Sequence, residues 1–202
     1  LPWDVHPEHG EEWFASESKN LSKKQIAQEL LCDFAASGDT VLSTEDIEWL
    51  GANIKRPIER WGPEMGVWVW KYSLSEHKYI ISADVSRGDA ADYSTFHVID
   101  TGTSEVVAEF KGKTPPDQFA TLLAEAGKRY NEALICPENN TYGYAVIMKL
   151  RDLDYKNLYF KNGKDRFSAL YGLGEVDLGK IGFATTGQSR NQILAKLEQV
   201  IR

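Results

Sequence analysis

The stretch Ile80-Ile81-Ser82-Ala83-Asp84-Val85-Ser86-Arg87-Gly88-Asp89-Ala90-Ala91-Asp92-Tyr93-Ser94 runs from an apolar strand pattern straight into a loop of acids. A carboxylate closing a buried strand is costly unless a metal, a cation or hydrogen bonds compensate it, so Asp84 needs an explanation. A second stretch, Leu134-Ile135-Cys136-Pro137-Glu138-Asn139-Asn140-Thr141-Tyr142-Gly143, ends its apolar run in the same way, on Glu138.

The elements between these acids predict how they meet. Residues 67–72 and 78–85 are strand-like, followed by 95–99 and 105–110, the last two joined by the turn-rich Asp100-Thr101-Gly102-Thr103. Thr114 is expected to cap a helix over 115–131, with Pro115 in its first turn and Phe119, Leu122, Leu123 and Ala126 as its apolar stripe. Residues 133–136 form a short strand, and a helix carrying Ala145, Ile147, Met148 and Leu150 follows. Consecutive strands with short turns make an antiparallel meander, and the helix becomes a crossover to a parallel strand. If that strand lands beside the first of the meander, Asp84 and Glu138 are neighbours at one end of two central strands.

Two such carboxylates repel each other. A hard divalent cation relieves the repulsion and gains oxygen ligands, and Mg²⁺ typically takes one or two carboxylates plus substrate phosphates. Asp92, eight residues after Asp84 and past Gly88, is a candidate to turn back toward the same ion. The same acids also suit turn and helix capping at strand ends, so both readings stand.

Outward from this centre the signals thin. Asn162-Gly163 between 158–160 and 167–170 reads as a hairpin, 181–184 as a last strand, and Ser189 as the cap of a final helix. Upstream, Ser22 and Gln25 form a capping box for a helix with Ile26, Leu30, Leu31 and Phe34 on one face and Gly38 as its stop. A second helix starts near Thr44, and Pro57, Gly62, Pro63 and Gly66 mark 55–66 as linker. Residues 1–66 therefore read as a helical lead-in and 67–202 as the main domain.

Composition bounds the function. The 202 residues are 42% hydrophobic and 26% charged, which excludes a disordered or fibrous chain. The net charge of −7 argues against a surface that wraps nucleic acid everywhere, while leaving room for a local basic groove. No apolar run approaches the ~20 residues of a membrane span. The two cysteines, Cys32 and Cys136, are too few for a disulfide framework or a zinc quartet and point to a reducing compartment. Opening at Leu1 without a signal pattern, the chain reads as a piece of a longer one.

Asp84-Val85-Ser86-Arg87-Gly88 with Asp92-Tyr93-Ser94, then Glu138-Asn139-Asn140 with Gly143, resemble the nuclease domain of the large terminase subunit of tailed bacteriophages. Trp13, Gln28-Glu29, Phe34 and Ser37-Gly38 resemble the segment that joins the packaging ATPase to that nuclease. Gly182-Phe183, Thr185-Thr186 and Ser189-Arg190 fit the same family. The resemblance implies an α/β, ribonuclease H-like fold: a mixed sheet, an antiparallel meander plus a parallel strand, flanked by helices. It implies endonucleolytic cutting of concatemeric double-stranded DNA by two-metal hydrolysis with Mg²⁺ or Mn²⁺, one metal activating water and the other stabilising the leaving 3′ oxygen. Asp84 would bridge the metals, Glu138 would be the second carboxylate and Asp92 a supporting acid. Implied partners are the portal protein, the small terminase subunit and an ATPase domain of the same chain, at the procapsid portal in the host cytoplasm. The family's third carboxylate lies in an Asp-Asp motif that this chain lacks. Either a further tail carries it or another acid serves, with Asp165 and Asp177 the first to consider.

Other patterns lead away from this chemistry. Gly112-Lys113-Thr114 mimics the end of a phosphate-binding loop, but Val107 stands where that loop needs glycine and Pro115-Pro116 removes amides from the helix start. His6 and His9 lack cysteine partners for zinc, and His97 reads as an ordinary strand residue. Basic residues gather late in the chain. Lys161, Lys164, Arg166 and Arg190, with Arg87 beside Asp84, are the candidate DNA contacts, and a solvated rim is the plainer view of them. Two other classes compete: an actin-like ATPase or sugar kinase of related fold, which wants glycine-rich phosphate hairpins, and a non-catalytic module clamping DNA or a partner.

Overall fold

A computed structural model of the chain describes residues 3–5, 9–21, 26, 30–31, 44–89, 92–162, 166 and 177–200. The chain divides into two compact units, one of residues 1–54 with 187–202 and the other of residues 55–186. The first contains α1 (Glu11–Glu17), α2 (Thr44–Ala52) and the final α5 (Gly187–Val200). The capping box at Ser22 and Gln25, Phe34 and Gly38 lie outside the described residues. No helix among the described residues is long and apolar enough to cross a membrane.

The second unit is a six-stranded mixed sheet: β1 (Glu59–Trp61), β2 (Val67–Val69), β3 (Tyr79–Asp84), β4 (Ser94–Asp100), β5 (Val106–Gly112) and β6 (Leu134–Pro137). Their order is β1-β2-β5-β4-β3-β6. The meander β3–β4–β5 is antiparallel, and β6 pairs with β3 in parallel. Between β5 and β6 runs α3 (Pro116–Arg129), the expected crossover, and α4 (Thr141–Asp152) follows β6. Alternation puts Ile81, Ala83, Phe96, Val98, Phe110 and Ile135 on one face, all buried. Phe119 of α3 closes over that face with Phe96 and Phe110, the three ring centroids 5.5 to 6.2 Å apart.

Several expectations change. Residues 55–66 are not a linker: Glu59-Arg60-Trp61 pairs antiparallel with β2, extending the sheet by a strand too short to show a period. The sheet unit therefore begins near residue 55 rather than 67, and α5 groups with the N-terminal residues. Thr114 is not the helix cap. Pro115 holds that position in extended backbone, its carbonyl accepting from Phe119 N–H at 2.8 Å, while Thr114 is buried. Residues 181–184 reduce to two isolated bridges, Ile181 with Phe160 and Phe183 with Glu138, and α5 begins at Gly187, before Ser189. Of the expected hairpin, Gly163 and residues 167–170 lie outside the described residues.

Candidate metal centre

The parallel register of β3 and β6 pairs Ala83 with Pro137, and Glu138 N–H donates to the Ala83 carbonyl at 2.7 Å. Asp84 and Glu138 thus follow adjacent paired residues and emerge together at the carboxyl ends of neighbouring parallel strands. Such an end, where parallel strands release their chains in one direction, is where α/β sheets hold ligands. At this end the two carboxyl groups are close enough to act on each other, and Glu138 pushes the Asp84 carboxyl above its ordinary value.

Asp84 still reaches solvent. Partial desolvation, then the hydrogen bond to Glu138 and that group's charge, raise its carboxyl above the usual range. The Asp92 charge adds to this, and a hydrogen bond from the Val85 backbone opposes it. Asp92 is brought round by buried serines: Ser86 N–H donates to Ser94 Oγ at 3.1 Å, and Ser86 Oγ donates to the Asp92 carbonyl at 3.3 Å. The loop is then pressed against the β5–α3 connection at Gly88, whose φ is +88° and whose missing Cβ would lie 2.6 Å from the Thr114 carbonyl. Only glycine suits both demands.

Glu138 is held from three sides. The Asn140 amide donates Nδ2 to Glu138 Oε2 at 2.9 Å and to the Val85 carbonyl at 3.4 Å. Its Oδ1 accepts from Gly143 N–H at 2.7 Å and so caps α4. A Cβ on Gly143 would overlap the Glu138 carbonyl oxygen, and one on Gly182 (φ +81°) would lie 2.5 Å from the Pro137 carbonyl. Asn139 pins the far side, its N–H donating to Phe183 O at 2.8 Å and its Nδ2 to Ile181 O at 2.7 Å. The sequence contains the signal for Asn140, an Asn just before a helical stripe, but not its second role as the clamp on Glu138.

Hard carboxylate oxygens without a cationic neighbour suit Mg²⁺ or a similar ion. Among the described residues, no Lys or Arg lies within ion-pair distance of Asp84, Glu138 or Asp92, and Arg87 turns instead to Asp89 at 3.0 Å. Asp84 and Glu138 fit such an ion. Asp92 acts on Asp84 by its charge, and no group of three His, Cys, Asp or Glu among the described residues closes around one point. Asp177 is spent on its own turn, accepting from Gly179 N–H at 3.0 Å, and Asp165 lies outside the described residues.

Of the late basic residues, Arg166 lies away from the acids. Arg166 donates Nη2 to Asn157 Oδ1 at 2.6 Å and lines a cavity with Lys78 and Tyr79, at the start of β3, the end of the strand opposite Asp84. Chain proximity to Lys161 therefore says nothing of its depth along the sheet. Lys161 is exposed, Lys164 lies outside the described residues, and Arg190 is an exposed residue of α5 in the other unit.

No protein-family model and no curated protein sequence matches the chain. Among solved structures it is similar to the large terminase nuclease from thermophilic phage G20c with bound magnesium, at 18% identity over 77% of this chain and 69% of that one, with a TM-score of 0.52. The same nuclease with bound zinc aligns at 19% identity over 76% of this chain and 86% of that one, TM-score 0.45. The large terminase nuclease domain of Thermus phage P74-26 aligns at 19% over 74% and 76%, TM-score 0.42. With its meander, crossover helix and parallel strand, the chain has the ribonuclease H-like fold of a large terminase nuclease domain.

Proposed function

We propose that the chain is a divalent-metal-dependent endonuclease that cuts concatemeric double-stranded phage DNA during genome packaging. One observation carries this reading: two carboxylates, Asp84 and Glu138, emerge together at the carboxyl ends of adjacent parallel strands, with no Lys or Arg among the described residues within ion-pair distance of either. A magnesium-bound structural neighbour of the same fold supports it. Asp84 and Glu138 would hold Mg²⁺ or Mn²⁺, which supplies charge stabilisation for phosphodiester hydrolysis. Asn140 Nδ2 donates to Glu138 Oε2 and so orients that carboxylate before substrate arrives. A bound cation favours the ionised Asp84 carboxyl, which otherwise holds its proton above the ordinary range, so cation binding and proton release are linked. Asp92 adds negative charge at the rim. The partners in this reading are duplex DNA, the portal protein, the small terminase subunit and a packaging ATPase, at the procapsid portal in the host cytoplasm.

The test is supercoiled plasmid incubated with the chain in Mg²⁺ and in Mn²⁺, beside Asp84→Asn and Glu138→Gln variants. Nicking and linearisation at many positions is expected from the parent chain and not from the variants. Plasmid left intact by the parent chain, or cut equally by Asp84→Asn, overturns the reading.

A further inference from the structure

Lys113 of the rejected phosphate-loop motif and its neighbour Lys111 lie at the end of β5, and Lys111 stands in the row of the sheet that carries Asp84. Register pairs Asp84 with Thr95 and Thr95 with Lys111, so the three side chains share one face across β3, β4 and β5. Adjacent strands are ~4.8 Å apart, which puts Lys111 roughly 10 Å from Asp84 along that row. Lys113 follows past the end of β5. Both ammonium groups converge on one ring: Tyr93, 44% exposed, has Lys111 Nζ 4.7 Å and Lys113 Nζ 5.3 Å from its centroid. Two like charges held close to one ring repel each other, and the ring offsets only part of that. Among the described residues neither lysine has a carboxylate within ion-pair distance, so their charge is left for something outside the protein.

The same face continues outward. Arg60 lies over the Trp68 ring at 4.7 Å, and Arg60, Trp68, Lys111 and Lys113 line one cavity of about 360 Å³. Glu64 and Glu109 share it, but Glu109 faces His97 at 3.6 Å. A site of acids repels a polyanion unless basic groups flank it. The rise of one DNA strand is ~3.4 Å per nucleotide, so the ~10 Å from Asp84 to Lys111 corresponds to about three nucleotides.

We propose that Lys111 and Lys113, gathered by Tyr93, contact backbone phosphates a few nucleotides from the scissile one, and that duplex DNA crosses the sheet face from Asp84 toward Arg60. This rests on the nuclease reading and names the surface that positions its substrate. The basic contacts are thus on β5 and its end rather than in the late cluster around Arg166.

The test uses the whole chain, a labelled ~30-bp duplex and EDTA, with affinity followed against KCl concentration. Each lost phosphate contact lowers the magnitude of the log-log salt slope by ~0.9 on B-form DNA. The Lys111→Ala/Lys113→Ala double variant should lose about 1.8 of slope and bind at least ~10-fold more weakly, with circular dichroism unchanged. Tyr93→Ala should weaken binding and Tyr93→Phe restore it, since the ring and not the hydroxyl gathers the lysines. Lys128→Ala, on the exposed outer side of α3, should leave the slope within error. An unchanged slope in the double variant, or an equal loss in Lys128→Ala, overturns the proposal. Slope loss as expected while the parent chain leaves plasmid uncut in Mn²⁺ keeps the phosphate contacts and overturns the nuclease reading. Cutting with an unchanged slope does the reverse.

Discussion

Asn140 Nδ2 lies 2.9 Å from Glu138 Oε2 while the Oδ1 of the same amide accepts from Gly143 N–H at 2.7 Å, so one side chain both starts α4 and aims the carboxylate. Helix stability and site geometry are thereby coupled, and substitution can separate them. Asn140→Ala removes both roles and should cost ~1 kcal/mol from the lost cap, a fall in Tm of roughly 2–4 °C, together with most of the activity. Asn140→Asp keeps a capping oxygen but replaces the donor facing Glu138 with a third charge. Its activity should fall at least as far as that of the alanine variant, while α4 retains its cap. Paired thermal melts and plasmid cleavage check this; equal activity in all three chains would show that Glu138 needs no clamp.

Gly143→Ala tests the close approach behind Glu138. Its Cβ would overlap a backbone carbonyl, which cannot swing away as a side chain can. The strain should cost roughly 1–3 kcal/mol, and a displacement of Glu138 approaching 1 Å should reduce cleavage by about 100-fold. Gly51→Ala in α2, where nothing lies within 4 Å of the new Cβ, is the control and should leave cleavage unchanged with stability the same or slightly raised.

Asp84→Asn carries opposite expectations with and without metal. The raised Asp84 carboxyl means that the folded chain binds this proton more tightly than the unfolded one. Its contribution to stability therefore falls as pH rises through that range, and at neutral pH the ionised Asp84 carboxylate is a net penalty. Metal-free, the asparagine variant should melt above the parent chain at pH 7.5, with the gap closing toward pH 4. Saturating Mn²⁺, at ~100 times its Kd, should stabilise the parent by ~2.7 kcal/mol and leave the variant nearly unmoved. Scanning calorimetry in EDTA and in Mn²⁺ reads both. An equal Mn²⁺ shift in the two chains would place the ion elsewhere.

The acid limit should come from the other end of β4. Asp100 is buried and receives His77 Nδ1 at 2.6 Å and Gly102 N–H at 2.8 Å, which closes the turn toward β5. The hydrogen bond with His77 holds the Asp100 carboxyl below its ordinary value. A depressed carboxylate stabilises above its unfolded value, ~3.9, and that stabilisation is lost as pH falls through the folded value. Asp100→Asn should therefore lower Tm clearly at pH 6 and little at pH 2.5. A pH-independent difference would mean that the charge plays no part.

The two acids were legible because their signal is local. An apolar run ending on a carboxylate occurs at 80–84 and again at 134–138, and one helical crossover between a meander and a strand leaves few ways to arrange them. Connectivity and period alone therefore lead to Asp84 beside Glu138. Tertiary structure determined what those patterns cannot carry. Three residues, Glu59–Trp61, are too few to show a period, and they form a strand because β2 offers them hydrogen bonds. Arg166 follows Lys161 closely in the chain, yet packing against Asn157 takes it to the other end of β3 from Asp84. Lys111 and Lys113 look like a stray lysine pair until Tyr93, eighteen residues before Lys111, stands under both. Strand register is set by side chains meeting across the sheet, so the lysine that shares Asp84's row is known only once the sheet has formed.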